Sequence, residues 1–118
     1  MTNYETFNKE FLEWHFGFMD NDQRAEAFIK SMYNQMESRE YLEVEKMILD
    51  SEPKEGYVLR DKETNQNLLY SNGTDIVAFK DDSDLLNRCK KLMSSVSDKH
   101  PSLNLRMKIS DKDLEDKI

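Results

Sequence analysis

The apolar positions change period along the chain, from helical spacing in the first third to alternation in the middle, then back to helical spacing from Leu85. Between Tyr4 and Met19, residues Phe7, Phe11, Trp14, His15 and Phe18 fall at i, i+4, i+7, i+8 and i+11. This spacing predicts a first helix with those residues on one apolar face, shared between core and docking surface, and Glu5 near its positive N-terminal end. Phe16 lies off that face, and Gly17, a residue that costs about 1 kcal/mol inside a helix, predicts its end. Asp20-Asn21-Asp22 then reads as a cap for a second helix, in which Ala25, Phe28, Ile29, Met32, Tyr33 and Met36 share one side. Past Glu37-Ser38-Arg39-Glu40 the phase slips. Tyr41, Leu42, Val44, Met47 and Ile48 predict a bent extension or a third short helix capped by Ser38, and the alternation Leu42-Glu43-Val44-Glu45 leaves a strand as the second reading.

Pro53 and Gly56 within Ser51–Gly56 end the helical half. Tyr57-Val58-Leu59-Arg60, Leu68-Leu69-Tyr70 and Ile76-Val77-Ala78-Phe79 predict a three-stranded meander. Its second connection, Asn72-Gly73, has the chemistry of a type I′ turn with positive φ at both residues. Asp81-Asp82-Ser83-Asp84 predicts the cap of another helix, with Leu85, Leu86, Cys89, Leu92, Met93 and Val96 on one face and Arg88, Lys90 and Lys91 on the other. His100-Pro101 stops it. Leu103, Leu105, Met107 and Ile109 then alternate with polar residues as a strand with one buried face, able to pair with any exposed edge of the meander. The charged stretch from Ser110 to Ile118 predicts a frayed tail. The expected fold is a single α+β domain, ααβββαβ: two or three N-terminal helices, an antiparallel meander, a helix and a final strand, with helices on one side of the sheet. It divides into an acidic, aromatic-rich half (1–52), a ββ-β-α-β half (53–110) and the tail (111–118).

Charge sharpens that division. Among 118 residues, 17 Lys and Arg face 24 Asp and Glu, a net charge of −7. Residues 1–52 hold five basic side chains against twelve acidic ones, so the whole imbalance lies there, together with nine of the twelve aromatics. An acidic field repels phosphate backbones and suits a protein with a basic surface. One cysteine excludes a disulfide framework within the chain, no run approaches a membrane span, and the N-terminus lacks the pattern of a secretory signal. The expectation is a cytoplasmic protein without a membrane partner.

Candidate chemistry is sparse. His15 and His100 are too few and too far apart in sequence for a metal site, and His15 is expected to be partly buried and His100 to be a turn residue. Cys89 falls on an inward helix face, where a thiol is a small hydrophobe. Asp81, Asp82 and Asp84 match no calcium loop, and three glycines, at 17, 56 and 73, leave no phosphate-cradling loop. No cofactor, metal or catalytic residue is therefore expected, and the chain reads as non-enzymatic; a carboxylate-based enzyme has no preferred pair among the 24 acids. Arg88, Lys90, Lys91, Arg106 and Lys108, with Tyr57, Tyr70 and Phe79 as stacking platforms, outline a single-strand nucleic-acid binder, but the neutral second half and the lack of an RNP-like pattern argue against it. An acidic nucleic-acid mimic fits the charge better, yet lysines interrupt the acidic face.

The excess of aromatics and of methionines (Met19, Met32, Met36, Met47) in the first half predicts a docking face. Its expected anchors are Trp14, Phe18, Tyr33 and Tyr41, with Glu37, Glu40, Glu43 and Glu45 steering a basic partner. A homodimer or larger homo-oligomer that buries the same aromatics is the alternative. In composition, with only three alanines and abundant Lys, Asn, Glu and Asp, the chain is similar to small accessory proteins of phages and prophages from AT-rich bacteria. That resemblance implies an inhibitor or modulator of a host or defence protein.

Overall fold

Five strands form one sheet in the order β1-β2-β3-β4-β5, and the helices pack on one of its faces. The computed structural model describes residues 11–37, 39–48 and 55–109. Residues 11–15 are helical (α1) and run into a 3₁₀ turn, Phe16–Phe18. Then follow α2 (Asn21–Gln35), β1 (Leu42–Ile48), β2 (Glu55–Asp61), β3 (Gln66–Ser71), β4 (Asp75–Ala78), α3 (Ser83–Lys99) and β5 (Arg106–Ile109). The predicted positions Tyr4, Glu5, Phe7, Ser38 and Pro53, and the tail 111–118, lie outside the described residues.

The α+β class and the order of elements hold; of the two or three expected N-terminal helices, two stand before the sheet among the described residues, and the antiparallel strands number four rather than three. The expected helical extension at 41–48 is β1. Its Leu42 and Val44 point into the core from alternate positions, and Glu43 and Val44 stand opposite Arg60 and Leu59 of β2. Long-range pairing with β2 satisfies this backbone and overrides the local helical spacing. Gly56, read as a breaker, belongs to β2, where a Cβ would lie 2.4 Å from the ring of Tyr70. An aromatic ring from the neighbouring strand fills the space that a side chain would take.

Pairing between β2 and β3 shifts after Leu59, leaving Leu68 as an extra residue, so Leu68 and Leu69 both reach the helical side despite being adjacent. The β3–β4 hairpin forms where expected but is not of type I′. Gly73 alone has positive φ (+96°), and the Asn72 side-chain oxygen accepts from the backbone N–H groups of Thr74 (3.0 Å) and Asp75 (2.8 Å). Asparagine thus builds the turn with its own side chain. Gly73 is required a second time, because a Cβ there would meet the Asn21 carbonyl oxygen at 2.4 Å.

The final strand pairs with β4, and it does so in parallel, with α3 as the crossover. Its buried face is weaker than the alternation suggests: Met107 is half-buried and Ile109 exposed, as befits an edge. The main core lies between this sheet and the helices, with Phe28, Ile29 and Met32 of α2 and Leu85, Cys89, Leu92 and Val96 of α3 packed on Leu42, Leu59, Leu69 and Ile76. The opposite face holds a separate buried cluster of Val58, Tyr70, Val77 and Phe79.

Both helix starts carry the caps that their sequences promise. The Asp20 side chain accepts from Gln23 N–H while the Gln23 side chain accepts from Asp20 N–H, and the Asp82 carboxylate accepts from the N–H groups of Asp84 and Leu85. The helix ends are closed by two arginines from later elements. Arg24 donates to the carbonyls of Phe16 (3.0 Å) and Gly17 (3.4 Å), and Arg88, held by Asp84, donates to that of Gln35.

Candidate partner interface

The first helix buries Phe16, which lies off its longer apolar row, and leaves that row outside. Leu12 and Phe16, four residues apart, are buried in the core, whereas Trp14 and Phe18 are 73% and 86% exposed and Phe11 40%. His15, expected to be partly buried, is exposed and lies against the Phe11 ring with centroids 4.8 Å apart. Two rows of apolar residues cannot both face a core on one side, and the aliphatic–aromatic pair at 12 and 16 takes the inner one. The rest form an aromatic face toward solvent: Phe11, Trp14, His15 and Phe18.

His100 fixes that face in place. Its ring sits against Gly17, where a Cβ would come 2.5 Å from Nδ1. The Nε2–H group donates to the Glu13 carbonyl at 2.6 Å, since a carbonyl only accepts. The ring also stands edge-on to Phe18, centroids 6.3 Å apart at 80°, within the favoured aromatic range. Thus His100 is a bracket between α1 and the end of α3 rather than a simple turn residue, and Gly17 is the socket that admits it. Neither role has a signal in sequence spacing, because the two residues meet only in three dimensions.

The other expected contact residues lie elsewhere. Tyr33 packs, half-buried, against the main core. Tyr41, 44% exposed, stands with Glu37 and Glu40 in the connection after α2, whereas Phe18 precedes α2. The 15 residues of α2 put about 22 Å of helix between them. Glu43 and Glu45 project from the sheet face opposite the helices, where both approach Arg60 of β2, Glu43 at 3.8 Å. The structure therefore brings Trp14 together with Phe18, Glu37 with Glu40 and Tyr41, and Glu43 with Glu45, in three separate places.

Arrangements that the nucleic-acid reading requires are not formed by its aromatics, for Tyr57, Tyr70 and Phe79 are all buried and offer no stacking surface. The Tyr57 hydroxyl donates to Glu26 at 2.8 Å, and with Lys30 it holds the Glu26 carboxyl below the usual range, Lys30 contributing most. Burial pushes the Cys89 thiol up to about 12, so it stays a protonated core group. Tyr70 is pushed up to about 12 by burial and by the nearby Asp75 carboxylate. No group of three or more His, Cys, Asp or Glu among the described residues could hold a metal ion, and no helix among them is long and apolar enough to cross a membrane. No protein-family model, curated protein or solved structure matches the chain.

Proposed function

We propose that the chain is a non-enzymatic protein-binding module, an inhibitor or modulator of a host or defence protein, that docks through the aromatic face of α1 on a partner with a basic surface. The observation that carries this reading is the exposure of Trp14 and Phe18 on a helix that is itself anchored from below by Leu12 and Phe16 and from the side by His100. Large exposed aromatics held rigidly lose little freedom on binding and are common interface anchors. Phe11 and His15 widen the face. Glu37, Glu40, Glu43 and Glu45 lie on other elements and act as long-range steering charges felt mainly at low salt, and Tyr41, beside Glu37 and Glu40 in the connection after α2, is a peripheral contact rather than a member of the α1 face. An acidic nucleic-acid mimic is less well supported, because Glu43 and Glu45 already share a guanidinium.

Parallel capture from a bacterial host lysate with wild-type and Trp14→Ser/Phe18→Ser baits tests the reading. A protein retained by the wild type should be lost with the variant. Reconstituted with the purified chain, that protein should form a complex of fixed stoichiometry whose affinity falls at least about tenfold in the variant. Identical retention by both baits overturns the α1 interface. Light scattering showing a stable oligomer that the same double substitution dissociates would instead assign the aromatic face to self-association.

A further inference from the structure

The two edges of the sheet complement one another. Among the described residues no strand pairs with the outer side of β1 or of β5. On the face away from the helices β1 presents Glu43 and Glu45, and the register places Arg106 and Lys108 of β5 on that same face, beside Asp75 and Val77. Direction matches as well. Strands β1 to β4 alternate and β5 runs parallel to β4, so β5 is antiparallel to β1. A second copy moved sideways, without turning over, brings its β1 alongside β5 as an ordinary antiparallel neighbour with like faces aligned.

One register satisfies both faces. With Arg106 opposite Glu45, Lys108 falls opposite Glu43 on the open face, while Met107 meets Val44 and Ile109 meets Leu42 on the helical face. Ile109, 48% exposed on its own, gains cover there. Arg106 already pairs with Asp75 at 2.8 Å, and Glu43 and Glu45 with Arg60, so the new contacts extend existing ion pairs into networks. Neither edge suits itself: antiparallel self-pairing about Met107 sets Arg106 against Lys108, and about Val44 it sets Glu43 against Glu45. Like charges directly opposite are destabilising, whereas opposite ones stabilise.

We propose that copies of this chain associate edge to edge, β5 of one on β1 of the next, into an open, head-to-tail sheet. The contact is heterologous, so it does not close at two copies. It is independent of the aromatic face of α1.

Sedimentation at low salt and rising concentration tests this with the wild type, Glu43→Lys/Glu45→Lys, Arg106→Glu/Lys108→Glu and an equimolar mixture of the two variants. The wild type should grow past twice the monomer mass and lose that growth in high salt. Each variant alone should stay monomeric, and the mixture should regain the growth, because the reversed edges again complement each other. Ile109→Asp, at an exposed position, should weaken growth with the charges intact, and the amides of 42–48 and 106–109 should gain hydrogen-exchange protection as the wild type is concentrated. A wild type that is monomeric throughout would show that the edge charges act only as guards against aggregation, and overturns the proposal. So does a closed dimer indifferent to both reversals, or a mixture that fails to recover growth. Trp14→Ser/Phe18→Ser should leave the growth unchanged; its loss would assign association to α1 instead.

Discussion

α3 and α1 do different work with similar material. In α3 the apolar residues Leu85, Leu86, Cys89, Leu92 and Val96 are buried, and the opposite side is charged, so the helix is complete as a wall of the core. Among the described residues of α1 and the 3₁₀ turn that follows it, Leu12 and Phe16 are buried and Phe11, Trp14 and Phe18 remain exposed. The core accepts one row from each helix. What a sequence carries beyond that row is outside the needs of the core and stays at the surface, which is where the proposed docking face is drawn from.

The comparison breaks most visibly at Phe16. If Phe16 is to α1 what Leu92 is to α3, then Phe16→Ala should lower stability by about 3–5 kcal/mol and Leu92→Ala by about 2–5 kcal/mol in denaturant titration. A small effect at 16 would mean that α1 is not seated as described. At the next level, Gly17→Ala should cost about 1–3 kcal/mol, because the methyl group meets the His100 ring. Most of that cost should vanish in a His100→Ala background, and a double-mutant cycle measures the coupling. A helix-propensity effect alone would have the opposite sign.

Alkaline pH tests the wall itself. Cys89 is raised in the folded state to about 12 from an ordinary value of 9.0. The stabilisation from its burial is therefore full below about pH 9 and is lost as pH rises toward 12. Between about pH 8 and pH 10.5 the urea midpoint should fall more steeply in the wild type than in Cys89→Ala. Tyr70 contributes a decline common to both proteins, so equal slopes would count against a buried thiol. The smallest effect belongs to the outer row of α1, where Trp14→Ser should change stability by no more than about 0.5 kcal/mol and Phe18→Ser, which also loses its edge contact with His100, by about 0.5–1.5 kcal/mol.

How far sequence carried these assignments depended on whether one row of residues was the only apolar row available. α2 and α3 have a single row each, flanked by Asp20 and Asp82 as caps, and both were legible to within a residue or two. α1 has two, and its spacing left open which one the core takes; the longer, more aromatic row, Phe11-Trp14-Phe18, is the exposed one. β1 was ambiguous for a related reason: Leu42 and Val44 alternate as in a strand whereas Val44, Met47 and Ile48 keep helical spacing, and the deciding partner, β2, begins seven residues beyond its end. Trp14 and Phe18 were legible as candidate contact residues through the excess of aromatics, and the structure adds that both are exposed. The grouping of the acidic residues was not, since Glu43 and Glu45 turn away from the helices only once Leu42 and Val44 have chosen the core.

His100 also sets a timetable. Its partner Glu13 lies 87 residues earlier, and at usual rates of synthesis that interval lasts about 4–17 s. Until residue 100 emerges, the ring that fills the Gly17 socket does not exist, and the first helix has its buried and its exposed aromatic rows without this bracket to orient them. A segment made well before its bracket is thus among the last to be locked. A ribosome-bound chain halted before His100 should leave α1 more open to protease than the finished protein does.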